Sequence, residues 1–143
     1  MTDKPNQHFF SLKDELYPYL LVNLRSGASY TRVDSKTQNR RLAGSAIGAN
    51  VFLGILRLLN NFNNPTEAIQ GAIIGDTSNV DLSVGDIYGG TYEKLGLPAD
   101  MIASSFGRLR SPESLEKITK RDISKSLLTM LSVNTLTFCR MIM

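Results

Sequence analysis

The spacing of the apolar residues changes at Gly48, and this change constrains the fold more than any other feature of the sequence. Before Gly48, short apolar or alternating segments are separated by turns, which is typical of antiparallel strands. After Gly48, apolar residues recur every three or four positions, which is typical of helices. The sequence therefore predicts an α/β chain in which antiparallel strands are followed by helices.

Three strands are predicted, at residues 19–24, 30–33 and 40–47. The first segment is an apolar run broken only by Asn23, and such a run predicts a strand that is buried on both faces. Residues 25–29 contain serine and glycine, which favour the turn of a hairpin between the first two strands.

Two helices are predicted directly after the strands. The first begins beyond the glycine turn, and Asn50 is the candidate N-cap. The second begins at Asn64, because Asn caps well and Glu67 follows at the capping-box position. A strand that runs through a glycine turn into a helix points backbone N–H groups at the space above the turn, which is how phosphates are often held. A plain strand-to-helix connection explains the same pattern.

The second half of the chain contains a long glycine-rich stretch and a last helix. Residues 85–107 are broken every few positions by glycines and Pro98, yet they are too apolar for a solvated linker, so they predict an ordered connector. Residues 120–143 carry a broad apolar face, and Thr119 with Asp122 resembles a capping box at their start.

Composition excludes several classes of function. The 143 residues suit one domain, and a net charge of +3 with dispersed basic residues gives no basis for nucleic-acid binding. Lys117, Lys120 and Arg121 are interpreted as the solvated start of a helix. Cys139 excludes an internal disulfide and is interpreted as a buried apolar residue, and His8 alone supports neither a metal site nor a catalytic triad.

The sequence has neither an apolar run of about 18 residues nor an apolar signal core, so we expect a protein of the cytoplasm without a membrane partner. Residues 1–17 form a polar tail, and Phe9 and Phe10 are expected to dock it onto the domain.

Four blocks resemble the type II, or eukaryotic-type, pantothenate kinases. The similarity covers residues 17–143 of this chain, about the central third of a full kinase of that family. The blocks are residues 20–29 (LLVNLRSGAS), residues 40–52 (RRLAGSAIGANVF), residues 85–107 preceded by GDTS at residues 75–78, and residues 119–122 (TKRD) with Arg140 and Met141.

The resemblance implies an actin-like fold, in which two lobes of the ribonuclease-H type close over ATP. It implies phosphorylation of pantothenate with ATP and Mg²⁺, the first step of coenzyme A biosynthesis, by a homodimer that acetyl-CoA or another acyl-CoA inhibits. Residues 18–143 are then a partial kinase domain. The amino-terminal ATP loop, the catalytic glutamate and the carboxyl-terminal end are expected outside this chain, so no catalytic residue and no metal ligand is assigned within it.

The resemblance also implies which residues bind ligands. Ser26, Ser29 and Arg41 match the residues that hold pantothenate or the pantetheine part of acyl-CoA, while Gly48, Ala49 and Asn50 match a phosphate-contacting turn. A guanidinium group and two hydroxyls suit a ligand made of a carboxylate, amides and hydroxyls. From the residues alone, the two serines can instead close a hairpin and the arginine can be a surface strand residue.

Several positions depart from the family pattern. Arg25 replaces a glycine beside Ser26, and its side chain either enters the pocket and blocks pantothenate or points outward. Ala49 and Asn50 replace two of the three glycines at the phosphate turn, and Val133 replaces the first of two asparagines. The alternative to an active kinase is therefore a catalytically inactive module that binds acyl-CoA or dimerises.

Overall fold

A computed structural model describes residues 16–59, 62, 64–110 and 112–143 of the chain. The predicted polar tail, with His8, Phe9 and Phe10, lies outside the described residues except for its last two positions.

Antiparallel strands come first and helices follow, which confirms the predicted α/β class. Strands β1, β2 and β3 span Tyr19–Leu24, Ala28–Val33 and Asn39–Ser45, and the short strands β4 and β5 span Leu82–Ser83 and Ile102–Ser104. Helices α1, α2, α3 and α4 span Ala49–Leu58, Pro65–Ile74, Val84–Tyr88 and Lys120–Ile142. Short 3₁₀ turns lie at Thr77–Asn79, Glu93–Leu95 and Pro112–Lys117.

The three long strands form one antiparallel sheet in the order β1-β2-β3, so β2 is central. Along β2, Ala28 and Tyr30 are buried, whereas Ser29 is only half-buried on the opposite face. The prediction that the first strand is buried on both faces is wrong, because Leu21 of β1 is 53% exposed. The strand lies at an edge of the sheet, and an apolar run does not reveal how many neighbours a strand has.

The hydrophobic core lies where the first two helices pack against α4. Its buried members come from all three helices: Phe52, Leu56, Ala68, Leu127 and Leu131. The sheet joins this helical layer through Tyr30, whose ring centroid lies 4.7 Å from that of Phe138 on α4. One face of the sheet therefore contacts α4.

Two of the three predicted helix caps are confirmed. The Asn64 side chain accepts a hydrogen bond of 2.9 Å from the N–H of Glu67 at the start of α2. Thr119 and Asp122 form a reciprocal capping box at the start of α4. Both caps involve residues that are close in sequence, which is why a local pattern predicts them.

The third cap, Asn50 on α1, is wrong, because the N-cap of that helix is Gly48 and no side chain caps it. A Cβ atom on Gly48 would lie only 2.6 Å from the Cα atom of Gly27 in the turn between β1 and β2. The backbone at Gly48 is extended, with φ −138° and ψ −164°, so space and not conformation requires glycine there. The start of α1 therefore packs against a distant part of the chain, the turn between β1 and β2.

The predicted connector at residues 85–107 is ordered, and it contains more regular structure than the sequence indicates. It includes most of α3, one 3₁₀ turn and all of β5, which pairs with β4. Gly89 ends α3 and Gly96 ends the 3₁₀ turn, with left-handed φ angles of 78° and 63°. At these two positions glycine is favoured because a Cβ atom would strain the backbone.

A buried carboxylate, Asp122, ties the start of α4 to the segment after α2. It is 4% exposed, and it accepts hydrogen bonds from the backbone N–H groups of Asp76 at 2.7 Å and Thr119 at 3.0 Å, and from the side-chain amide of Asn79 at 3.4 Å. Burial acts to raise the pKa of Asp122, but these hydrogen bonds outweigh it and hold the pKa below the usual range of an aspartate.

Candidate functional site

The face of the sheet that points away from α4 carries a row of small residues, of which two are polar and one is a glycine. Ser29 in β2 pairs with Asn23 in β1 on one side and with Gly44 in β3 on the other. Directly paired residues of an antiparallel sheet lie on the same face, so these three residues are neighbours. The next residue of β2, Tyr30, is buried on the opposite face. The open face therefore presents polar groups next to a gap left by a glycine.

A β-bulge in β3 determines which face Arg41 occupies. Tyr30 pairs with Ala43, but the next residue, Thr31, pairs with Arg41, so Leu42 is an extra residue in β3. In a regular ladder, Arg41 would pair with Arg32 and share the face of Tyr30. The bulge instead places Arg41 on the open face with Ser29.

Ser26, Ser29 and Arg41 line one open groove of about 490 Å³ at the end of the sheet. They come from the turn after β1, from β2 and from β3, so the hairpin and the bulge together bring the three predicted substrate-binding residues to one place. Asn23, Arg25 and Ser45 line the same groove. The side chains offer hydroxyl, amide and guanidinium groups, which can recognise carboxylates, amides and hydroxyls.

Gly44 makes room for the Arg41 side chain. A Cβ atom on Gly44 would lie 2.6 Å from one terminal nitrogen of the Arg41 guanidinium group. The Nε atom of Arg41 donates a long hydrogen bond of 3.4 Å to the carbonyl oxygen of Ala43. The guanidinium group of Arg41 thus lies over Gly44 in the same strand, β3, and Arg41 is exposed to solvent.

The groove is electropositive. Its lining contains the guanidinium groups of Arg25 and Arg41 and no aspartate or glutamate. Ion pairs join Arg32 to Asp34 and Arg108 to Asp86, and among the described residues neither Arg25 nor Arg41 forms one. Two cations without a carboxylate partner favour an anionic ligand.

The predicted phosphate turn, Gly48 with Ala49 and Asn50, lies at the start of α1 and does not line the groove. The backbone N–H of Asn50 lies 3.4 Å from the carbonyl oxygen of Arg25, and Gly27 fills the space beside Gly48 where a Cβ would stand. In this geometry the turn packs against the β1–β2 hairpin. Its contact with a phosphate stays a prediction.

The described residues contain neither a candidate metal site nor a membrane span. No group of three or more His, Cys, Asp or Glu residues among them could hold a metal ion. No helix in that part of the chain is both long and apolar enough to cross a membrane. Cys139, predicted to be buried, is half-buried in α4.

Sequence reasoning missed two residues of the groove, Asn23 and Ser45. Asn23 interrupts an otherwise apolar strand, and that interruption was the available signal for a polar face. Ser45 ends β3 and its hydroxyl accepts a hydrogen bond of 3.0 Å from the N–H of Ile47, which resembles an ordinary turn contact. No local pattern distinguishes Ser45 from a structural serine.

Comparison with known proteins identifies the family of the chain. Residues 2–142 match the family described as Fumble. The chain belongs to the Fumble family. This match covers both the strands that form the groove and the helices behind them. The resemblance to eukaryotic-type pantothenate kinases is confirmed by relatives that carry that name.

The relatives of this Fumble-family chain include pantothenate kinases from plants and a yeast. Pantothenate kinase 1 and pantothenate kinase 2 of Arabidopsis thaliana are 42% and 44% identical to it, in each case over 85% of the chain. The pantothenate kinase of Schizosaccharomyces pombe is 42% identical over 82% of the chain. The chain spans 32%, 14% and 30% of the length of these three relatives, respectively.

Proposed function

We propose that this chain is the substrate-binding portion of an ATP-dependent pantothenate kinase, which transfers a phosphoryl group from ATP to a hydroxyl of pantothenate. The relatives named pantothenate kinase support the reaction. The observation that carries the proposal is the convergence of Ser26, Ser29 and Arg41 on one groove. The reaction is the first step of coenzyme A biosynthesis, and we place it in the cytoplasm.

In this proposal, the guanidinium group of Arg41 binds the carboxylate of pantothenate. A charge-assisted hydrogen bond of this kind is stronger than a neutral one, and the planar guanidinium can donate two parallel bonds. Ser26 and Ser29 bind the amide or hydroxyl groups of the same molecule, since a hydroxyl both donates and accepts. The side chain of Arg41 is available for this role because no carboxylate among the described residues pairs with it.

Phosphoryl transfer also requires a nucleotide site and a group that activates the acceptor hydroxyl. We assign neither to the described residues. We propose that residues 18–143 form part of an actin-like kinase domain, whose ATP loop and catalytic glutamate precede them. Gly48, Ala49 and Asn50 are proposed as a further phosphate contact, although Gly27 already occupies one side of that turn.

Steady-state kinetics of the intact gene product test the proposal. We expect transfer of labelled phosphate from ATP to pantothenate, and we expect Arg41→Gln to raise the KM for pantothenate about tenfold or more, since one charge-assisted contact is lost. The matched control is Arg40→Gln, which removes the same charge from the neighbouring strand position outside the groove. The proposal is contradicted if the intact gene product transfers no phosphate to pantothenate. It is also contradicted if the Arg41→Gln variant keeps the KM of the parent protein.

A second candidate function is a catalytically inactive module that binds acyl-CoA or dimerises. Exposed apolar side chains on the first two helices favour it, among them Leu58 at 84% and Ile73 at 72% exposure. On this account, acetyl-CoA binds in the groove and the gene product sediments as a homodimer. This second candidate function is excluded if the intact gene product phosphorylates pantothenate, because an inactive module transfers no phosphoryl group.

A further inference from the structure

We infer that the groove binds the phosphorylated product of the proposed reaction, 4′-phosphopantothenate, more tightly than it binds pantothenate, and that Arg25 causes this preference. The inference rests on the proposed function, because it concerns the same groove and the same substrate. The physical reason is charge, because the groove carries more positive charge than one carboxylate can neutralise.

The first observation is that two arginines lie in the same groove. Arg25 and Arg41 both line the groove of about 490 Å³, and its lining contains no aspartate or glutamate. Among the described residues, neither arginine belongs to an ion pair. If Arg41 binds the carboxylate of the ligand, Arg25 stays without an anionic partner until the ligand supplies a second charge.

The second observation is that the backbone of Arg25 is held in place while its side chain is exposed. Its N–H donates a hydrogen bond of 2.8 Å to the carbonyl oxygen of Gly27, and its own carbonyl lies 3.4 Å from the N–H of Asn50. Close contact between Gly27 and Gly48 fixes the same turn against α1. The guanidinium therefore extends from an anchored turn, which lowers the entropic cost of binding an anion.

The third observation concerns the helix behind the turn. The ten-residue helix α1 begins at Ala49, directly under the turn that carries Arg25. The amino-terminal end of a helix carries a partial positive charge that decays within about one turn of the helix. This partial charge has the same sign as the two guanidinium groups, and it lies behind the turn that carries Arg25, outside the lining of the groove.

A phosphate monoester supplies the missing charge. It carries about −1.5 to −2 at neutral pH and three acceptor oxygens, which match the donors of a guanidinium group. Pantothenate offers one carboxylate, whereas its phosphorylated form offers the carboxylate and the phosphate. The predicted consequence is retention of the product at the site, which makes release slower and lets the product compete with the substrate.

Titration calorimetry with the 143-residue chain tests the inference at low ionic strength. We expect the chain to bind 4′-phosphopantothenate at least about tenfold more tightly than pantothenate, and we expect Arg25→Gly to weaken binding of the phosphorylated ligand about tenfold. Binding of pantothenate should change by less than about threefold. Arg25→Lys should retain most of the preference because the charge is kept, and Arg40→Gln, which lies outside the groove, should leave both affinities unchanged.

Inorganic phosphate is the third probe, and it separates recognition of the whole product from attraction of any phosphate. It should bind far more weakly than 4′-phosphopantothenate, and equal affinities would overturn the inference. Equal affinities for pantothenate and its phosphorylated form, or a preference that survives in Arg25→Gly, would overturn it as well.

Failure of the inference can be told apart from failure of the proposed function. In one outcome, Arg41→Gln weakens the binding of pantothenate, but the preference for the phosphorylated ligand does not depend on Arg25. In that case only the inference is wrong. If neither ligand binds, or if pantothenate binding ignores Arg41, the proposed groove falls and the inference falls with it.

Discussion

Two polar regions of the molecule use charged side chains in opposite ways. Around Asp122, a carboxylate that is 4% exposed is enclosed by donors from the chain itself. In the groove, Arg25 and Arg41 are exposed and have no carboxylate partner among the described residues. Hydrogen bonds from the chain itself satisfy the carboxylate of Asp122, whereas the guanidinium groups of Arg25 and Arg41 are available to a ligand.

The serines show the same contrast. Ser124 and Ser126 in α4 are fully buried, and each donates its hydroxyl to another part of the chain: Ser124 to the carbonyl oxygen of Ala68 at 2.7 Å, and Ser126 to the side chain of Asp81. Ser26 and Ser29 line the groove instead. The residue type is identical in the two regions, so the surroundings and not the composition decide which hydroxyls are free to bind a ligand.

The largest effect is expected from Asp122→Ala, which should lower the free energy of unfolding by about 3 kcal/mol. The substitution removes a buried carboxylate that accepts hydrogen bonds from the backbone N–H groups of Asp76 and Thr119, and hydrogen bonds to a charged group contribute about 1.5–3 kcal/mol each. Urea denaturation followed by circular dichroism measures this loss.

Asp100→Ala provides the control for that loss, because Asp100 is exposed in the connector before β5. It should leave the free energy of unfolding unchanged within about 0.5 kcal/mol. A loss below about 1 kcal/mol for Asp122→Ala would mean that the cluster is not a structural centre, and the contrast between the two regions would disappear.

The smallest effect on stability is expected from Arg41→Gln, which should change the free energy of unfolding by less than about 0.5 kcal/mol. The exposed guanidinium makes one long hydrogen bond of 3.4 Å and no ion pair among the described residues, so little is lost on its removal. The same denaturation experiment gives the value. A loss above about 1 kcal/mol would show that Arg41 has a structural role, and would weaken its assignment to the ligand.

The sequence predicted those parts of the fold that depend on neighbouring residues. The order of strands and helices follows from the apolar spacing, and the caps at Asn64 and Thr119 follow from a residue type and its partner three positions later. Asn50 is not the cap, because the helix begins after Gly48, and Gly48 packs against Gly27, which is more than twenty residues away in the sequence. Local signals cannot include such a contact.

The candidate site depended on geometry that no sequence pattern contains. The resemblance nominated Ser26, Ser29 and Arg41, but the bulge at Leu42 decides that Arg41 shares a face with Ser29. A shift of one residue would have placed the guanidinium on the face that packs against α4. The edge position of β1 was likewise invisible in its apolar run, because exposure depends on the number of neighbouring strands.

On the proposed function, pantothenate binds in the groove and at no other part of the chain. Nuclear magnetic resonance of the ¹⁵N-labelled chain during titration with pantothenate tests it most directly. We expect the shifts of the backbone amides to concentrate at residues 23–29 and 41–46, and we expect Arg41→Gln to remove them. Shifts that concentrate at residues 78–82 and 107–110, where a second groove of about 440 Å³ lies, would contradict it, as would the absence of any shift.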